Sequence, residues 1–331
     1  LSEGSGPASV FVTRAIPEAG VAVLRAAALD FEVGQVDSDL PLAHDALLAG
    51  VRRHPVLLCH LTDRVDREVL AARPGLRGVA QMAVGFDNID VEAARGLGIP
   101  IGTTPGVLTE ATADLAFALL LAVARRIVAG HRYVAEGRWK AWGPQLLLGA
   151  GVGPAPDGTP KTLGIVGFGR IGEAVARRAL GFGMRVVAWT RTPARLAAVP
   201  GVESVDLDTL LAESDFVSLH VPRNDETHRL IDAARLASMK PGAYLINTAR
   251  GTVVDEAALV GALERGHLGG AGLDVFEAEP EVHPGLLQSD RVVVLPHLGS
   301  ATHEARDRMA VMAAENAVAF ARGLPCPHPL G

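Results

Sequence analysis

Apolar runs of strand length alternate with segments of helical periodicity along nearly the whole chain, and the alternation occurs in two series. In the first, residues 10–12, 31–36, 56–61, 78–84 and 99–103 read as strands. Between them, residues 17–28, 41–51, 66–73 and 89–97 carry apolar side chains at helical spacing. Pro17 and Pro41 suit a first helical turn, and Asp63 or Asp66 suits a cap. A strand that is apolar on both faces and is followed by a helix belongs in a parallel sheet covered on both sides. The second series places strands at 163–166, 185–189, 216–221, 244–247, 272–275 and 292–295, with helices starting near Arg170, Asp206, Ala233 and Asp255. Residues 109–136 read as one long helix between the series, 149–160 as a Gly/Pro-rich loop, and 302–322 as a final helix. The expectation is α/β: two doubly wound parallel-sheet domains.

Bulk properties narrow the function. A formal charge of −6 over 331 residues gives no electrostatic support for nucleic acid. The apolar run from Leu115 to Ala124 is too short to span a bilayer. Cys59 and Cys326 form no CxxC, so neither a metal site nor a disulfide framework is expected. Residues 1–8, rich in Ser and Gly, read as a disordered start or a remnant. With no signal-peptide pattern, a reducing cytoplasm is the expected compartment.

The second series opens with Gly167-Phe168-Gly169-Arg170-Ile171-Gly172, directly after an apolar strand and at the start of a helix. The first glycine allows the turn, the second lets a pyrophosphate approach the backbone, and the third lets helix and strand pack closely. Glycine-rich turns are common, but this strand-and-helix context points to a dinucleotide. An NAD-binding unit normally places an acid about 20 residues further on, where it holds the ribose hydroxyls. Here the run is Thr190-Arg191-Thr192, with Thr190 in the place of the acid. Those residues can donate to a 2′-phosphate, so NADP is expected, with NAD the weaker alternative. The competing reading makes Arg191 and Arg195 solvated surface charges.

Three further islands follow in order. Arg250 lies in Ala249-Arg250-Gly251, Glu279 in Glu277-Ala278-Glu279-Pro280, and His297 in Pro296-His297-Leu298-Gly299. Each follows a strand of the second series, and ligands sit at the carboxyl ends of parallel strands. Taken singly, each has a plain reading: a structural Arg, a polar turn, a solvent-facing His. Together, a guanidinium that grips an acid, an imidazole that moves a proton and a carboxylate that orients the imidazole suit hydride transfer to a 2-oxo acid. In the first series, Val84-Gly85-Phe86-Asp87-Asn88 leaves a strand with small residues whose N–H groups suit an anion.

This constellation, from about Val10 to near the C-terminus, resembles the D-isomer-specific 2-hydroxyacid dehydrogenase family. The stretches Ala83-Val84-Gly85-Phe86-Asp87-Asn88-Ile89-Asp90 and Thr104-Pro105-Gly106-Val107-Leu108-Thr109-Glu110 look most like its glyoxylate/hydroxypyruvate reductase branch. The resemblance implies a Rossmann-type cofactor domain, 106–298, and a flavodoxin-like, discontinuous substrate domain, 9–105 with 299–331. It makes Arg250, Glu279 and His297 catalytic, with Glu279 touching His297, and gives the substrate carboxylate to Val84 and Gly85. Leu61 and Thr62 become pocket walls, and Val221, Pro222, Thr248, Ala249, Asp274 and Gly299 line the cofactor site, with Asp274 on the nicotinamide carboxamide. It also implies a homodimer, in which an arm bearing Trp139 and Trp142 reaches the second copy. Plain packing of the two tryptophans beneath the loop is the competing reading. The small-molecule partner would be a 2-oxo or 2-hydroxy acid. A phosphoglycerate- or arylpyruvate-type dehydrogenase and a dinucleotide-sensing, corepressor-like scaffold remain as alternatives. A formate dehydrogenase is disfavoured, because such relatives carry Gln where Glu279 stands.

Overall fold

The computed structural model describes residues 9–36 and 40–330, so the expectation for residues 1–8 lies outside the described residues. The chain divides into two compact units. One runs to Leu108 and resumes at Ala301; the other is Thr109–Ser300.

The first unit holds β1 (Ser9–Val12), β2 (Asp30–Val33), β3 (Val56–Cys59), β4 (Gly78–Gln81) and β5 (Ile101–Gly102), all parallel, in the order β2-β1-β3-β4-β5. That is the flavodoxin-like order, in which the chain reverses direction across the sheet at β1 and β3. The period of two survives beneath the uniform hydrophobicity. Phe11, Leu57 and Val79 face one core with Leu47, Val69 and Ala93. Val10, Val12, Val56, Leu58 and Ala80 face the other, against Leu24, Ala310, Ala313 and Phe320. The helix His303–Ala321 supplies much of that second face, so the first unit needs the end of the chain to close its core. Asp66, not Asp63, caps the third helix, accepting from Val69 N–H at 3.1 Å.

The second unit holds β6 (Thr162–Val166), β7 (Arg185–Trp189), β8 (Val202–Ser204), β9 (Phe216–Leu219), β10 (Tyr244–Asn247), β11 (Gly270–Leu273) and β12 (Val292–Val294) in the parallel order β12-β11-β10-β9-β6-β7-β8. This is the dinucleotide-binding order, with its reversal between β6 and β9. Leu163, Ile165, Val186 and Phe216 pack on the helices Thr109–Ala124 and Arg170–Gly181. Val166, Val187, Leu219 and Leu245 pack on the opposite face against Leu210, Leu236 and Leu259.

Three local expectations are corrected. The helix expected over 109–136 is two, Thr109–Ala124 and Ile127–Ala135, broken at Arg126 with φ 52°. No Gly or Pro marks the break. Ala150 N–H takes the Ala124 carbonyl at 2.8 Å, and the Arg126 guanidinium bonds Asp290. β8 was not expected, because it is a three-residue edge strand with two exposed positions and no apolar run. β11 starts two residues earlier than its apolar run, because Gly270 and Gly272 lie in the strand where the Thr109–Ala124 helix presses closest. A Cβ on Gly272 would stand 3.0 Å from Leu119 Cβ.

Candidate active site

The carboxyl ends of β10, β11 and β12 are neighbours, and each delivers one of the three expected side chains. Asn247, the buried last residue of β10, shapes the first turn: its Nδ2 donates to Arg250 O at 2.9 Å and its Oδ1 accepts from Ala249 N–H at 3.0 Å. Arg250 is half-buried, with Nη1 on its own turn at Ala249 O, 2.7 Å away. After β11, Glu279 turns back so that Oε1 accepts from Phe276 N–H at 3.1 Å. Its Oε2 lies 2.9 Å from Nδ1 of His297, which follows β12. Burial pushes the Glu279 carboxyl up, but the hydrogen bond and charge of His297, the Phe276 N–H and the Arg250 guanidinium outweigh burial and hold it below the ordinary carboxylate range.

His297 has φ 57°, a conformation that costs a residue with a Cβ about 1–2 kcal/mol. Asp274 holds it there. The Asp274 carbonyl accepts from His297 N–H at 3.0 Å, and its two carboxylate oxygens accept from Leu298 and Gly299 N–H at 2.6 and 2.8 Å. Thr112 Oγ1 donates to Gly299 O at 2.9 Å. Asp274 is fully buried, and burial raises its carboxyl above the ordinary value. The resemblance gives Asp274 to the nicotinamide carboxamide; its carboxylate oxygens also accept from the stretch of chain that carries His297, a role the sequence did not announce. Asn247 and Thr112 were missed. Polar residues at or near a strand end or helix start give no signal of which turn they will hold.

The glycine turn fits a dinucleotide. Gly167 has φ 96°, and a Cβ there would stand 2.7 Å from the His220 carbonyl. A Cβ on Gly172 would stand 2.4 Å from the Gly167 carbonyl. Gly169, by contrast, faces open space within 4 Å. It caps the Arg170–Gly181 helix without a side-chain hydrogen bond, so the first-turn N–H groups remain for an anion. Phe168 is buried, and Ile171 packs beside the core. The Thr248 hydroxyl, buried at the end of β10, has no hydrogen-bond partner among the described residues, and Val221 is buried at the exit of β9 with Pro222 following. Beyond β7, Thr190 Oγ1 accepts from Thr192 N–H at 3.2 Å, which leaves its O–H to donate. Arg191 pairs with Glu226 at 3.0 Å, and Arg195 with Glu173 at 3.2 Å. Arg191 and Glu226 help line a pocket of about 410 Å³ with Trp189, Asp206 and Leu230.

In the first unit, Val84 and Gly85 follow β4, and Leu61 follows β3 with a partly exposed side chain. Among the described residues, neither Val84 N–H nor Gly85 N–H donates to a protein acceptor. No group of three or more His, Cys, Asp or Glu among the described residues could hold a metal ion, and no described helix is long and apolar enough to cross a membrane.

Residues 117–299 match the family model described as D-isomer specific 2-hydroxyacid dehydrogenase, NAD binding domain. A glyoxylate reductase of Thermococcus litoralis is 50% identical over 95% of this chain and 94% of its own length. One of Korarchaeum cryptofilum is 51% identical over 95% and 93%. Among solved structures, the TT0316 protein from Thermus thermophilus aligns with a TM-score of 0.89 at 48% identity, covering 98% of this chain and 100% of its own. An NADPH-dependent glyoxylate/hydroxypyruvate reductase from Sinorhizobium meliloti, solved with NADP and malonate, aligns with a TM-score of 0.82 at 32% identity, covering 99% and 97%. With that likeness spanning both units, the chain belongs to the D-isomer-specific 2-hydroxyacid dehydrogenase family.

Proposed function

We propose that this enzyme reduces glyoxylate, and also hydroxypyruvate, to the 2-hydroxy acid with NADPH as the preferred reductant. The observation that carries the chemistry is the Glu279–His297 pair at 2.9 Å, which joins the ends of β11 and β12 beside the end of β10 that carries Arg250. A bound nicotinamide cofactor supplies the hydride that reaches C2. The N–H groups of Val84 and Gly85 take the substrate carboxylate. Arg250 grips the acid and polarises the carbonyl, stabilising charge as it develops on oxygen. His297 spends Nδ1 on Glu279, so Nε2 gives its proton to that oxygen. Ionised Glu279 stabilises the imidazolium before transfer and orients the ring throughout. In reverse, the neutral ring removes the proton from the alcohol.

A panel of 2-oxo acids assayed with NADPH and NADH tests the proposal. Loss of the nicotinamide absorbance with glyoxylate and NADPH is the expected result. No turnover with any 2-oxo acid would remove the reaction, and a clear preference for an arylpyruvate would remove the substrate.

The pH dependence has a definite sign. Glu279 is held below the ordinary carboxylate range, so its charge is present at neutral pH and is lost only as pH falls through that lowered value. In Glu279→Gln that charge is absent at every pH, so the acid limb that Glu279 gives the parent's kcat/KM profile for reduction, expected below the ordinary carboxylate range, is expected to vanish. An acid limb unchanged in the variant would show that Glu279 does not carry it.

A homodimer is proposed as the assembly. The helix Ile127–Ala135 buries none of its residues. Ile127, Val134, Trp139, Trp142 and Leu148 are 54%, 56%, 55%, 80% and 66% exposed. Large apolar side chains left in water on one connected arm suit a second copy. Sedimentation at micromolar concentration is expected to give a dimer, and Trp142→Glu to shift it toward monomer; a monomeric parent would contradict the assembly.

A further inference from the structure

One buried and one half-buried carboxamide lie beneath the Val84–Gly85 loop, and the partners of their polar atoms are fully accounted for. Gln81 ends β4 and is fully buried. Its Nε2 donates to Asn88 Oδ1 at 2.7 Å and to the Gly85 carbonyl at 3.2 Å, and its Oε1 accepts from Cys59 Sγ at 3.0 Å. Asn88 Nδ2 donates to the carbonyls of His60 and Asp63, at 2.9 and 2.8 Å. Each amide N–H therefore has its own acceptor. Turning Asn88 over would set its oxygen against two carbonyls and its NH₂ against the NH₂ of Gln81, so the orientation of the pair is determined. The His60–Asp63 turn that receives Asn88 is itself fastened. Buried Asp63 accepts from His60 N–H at 2.7 Å and from Thr13 Oγ1 at 2.5 Å.

The loop is pinned at both ends. Thr104 N–H holds the Ala83 carbonyl at 3.0 Å, and the trans peptide then turns Val84 N–H the opposite way. Gln81 holds the Gly85 carbonyl, which fixes the next-but-one peptide plane. Gly85 N–H lies between these two fixed planes. We propose that Asn88, acting through Gln81, is a positioning residue that aims the Val84 and Gly85 N–H groups at the substrate carboxylate. This rests on the reading of that loop as the carboxylate clasp. Loss of a charge-assisted hydrogen bond to a carboxylate changes binding by about 10- to 150-fold, and an unanchored Gly85 peptide is free to swing its N–H out of such a bond.

The test uses the whole protein. Asn88→Ala is expected to raise KM for glyoxylate, and Kd for oxalate on the NADPH-loaded enzyme, by about 10- to 100-fold. Oxalate is a two-carbon acid that cannot be reduced, and its binding is read by calorimetry. The kcat at saturating glyoxylate and the affinity for NADPH are expected to stay close to the parent's. Asn88→Asp keeps the acceptor for Gln81 but opposes two carbonyls with oxygen, so it is expected to raise both constants as well; a role in shape alone would spare it. If the Asn88 variants do not fold, Gln81→Met removes the same link to Gly85 and carries the same expectation. Unchanged KM and oxalate Kd in a folded Asn88→Ala or Gln81→Met protein would overturn the proposal. So would losses of kcat and NADPH affinity as large as the change in KM. Gly85→Pro, which deletes the N–H itself, separates the two readings. If it raises KM while Asn88→Ala does not, positioning alone is wrong. If neither changes KM, the clasp is wrong.

Discussion

Replacing His297 with alanine is expected to lower glyoxylate reduction by about 10²- to 10⁴-fold while leaving NADPH affinity close to the parent's. The size follows from the loss of positioned proton transfer to the forming alkoxide. The selectivity follows from placement. His297 stands at the end of β12, whereas the glycine turn stands at the end of β6, on the far side of β9, β10 and β11 in the sheet. Nothing that shapes Gly167–Gly172 passes through the imidazole. The backbone at φ 57° is held by Asp274 rather than by the ring, so the ring can be removed without releasing the turn. His297→Asn is the companion variant, because Asn tolerates that conformation better than most residues. It should fold as the parent does and be equally slow. Single-turnover absorbance gives the rate, and quenching of nicotinamide fluorescence gives the affinity. Near-parental turnover in either variant would mean that another group supplies the proton.

The parallel, doubly covered sheets of both units follow from features that a sequence carries openly. Where both sheet faces are covered, strands are short apolar runs, and capped helices between them leave parallel connection as the answer. Glu279 and His297 were legible for a related reason: each follows such a run, and parallel strands deliver their carboxyl ends to one side. Contacts made at long range were not legible. Nothing local distinguishes Arg126, where the helix breaks because Ala150 claims the Ala124 carbonyl. Nor does anything local announce that the Asp274 oxygens hold Leu298 and Gly299. Gln81 and Asn88 are not singled out by anything local, because their shared network needs two separate stretches of chain, 59–63 and 81–88, to meet. The pairing of Arg191 with Glu226 joins residues 35 positions apart, and no sequence pattern announces it.

That pairing bears directly on cofactor choice. The double variant Thr190→Asp with Arg191→Ala is expected to erase or reverse a preference for NADPH over NADH. In the parent, Thr190 keeps an O–H to donate, and Arg191 can turn its guanidinium from Glu226 to a 2′-phosphate. A charge-assisted hydrogen bond of that kind contributes about 1.5–3 kcal/mol, which corresponds to about 10- to 150-fold in binding. Two facts favour the lower end. Arg191 is 66% exposed, so solvent screens it, and the phosphate must first displace the Glu226 carboxylate. The variant removes the donor and adds an acid that repels phosphate but accepts from the two ribose hydroxyls of NADH. Arg195 offers limited compensation, because Glu173 already holds it. Specificity constants for both cofactors, measured in parent and variant at low and at physiological ionic strength, decide the matter. The NADPH preference of the parent should weaken as salt rises, since a phosphate carries its extra charge into a screened exterior site. A parent that favours NADH, or a ratio that does not move in the double variant, would show that Thr190 and Arg191 do not read the phosphate.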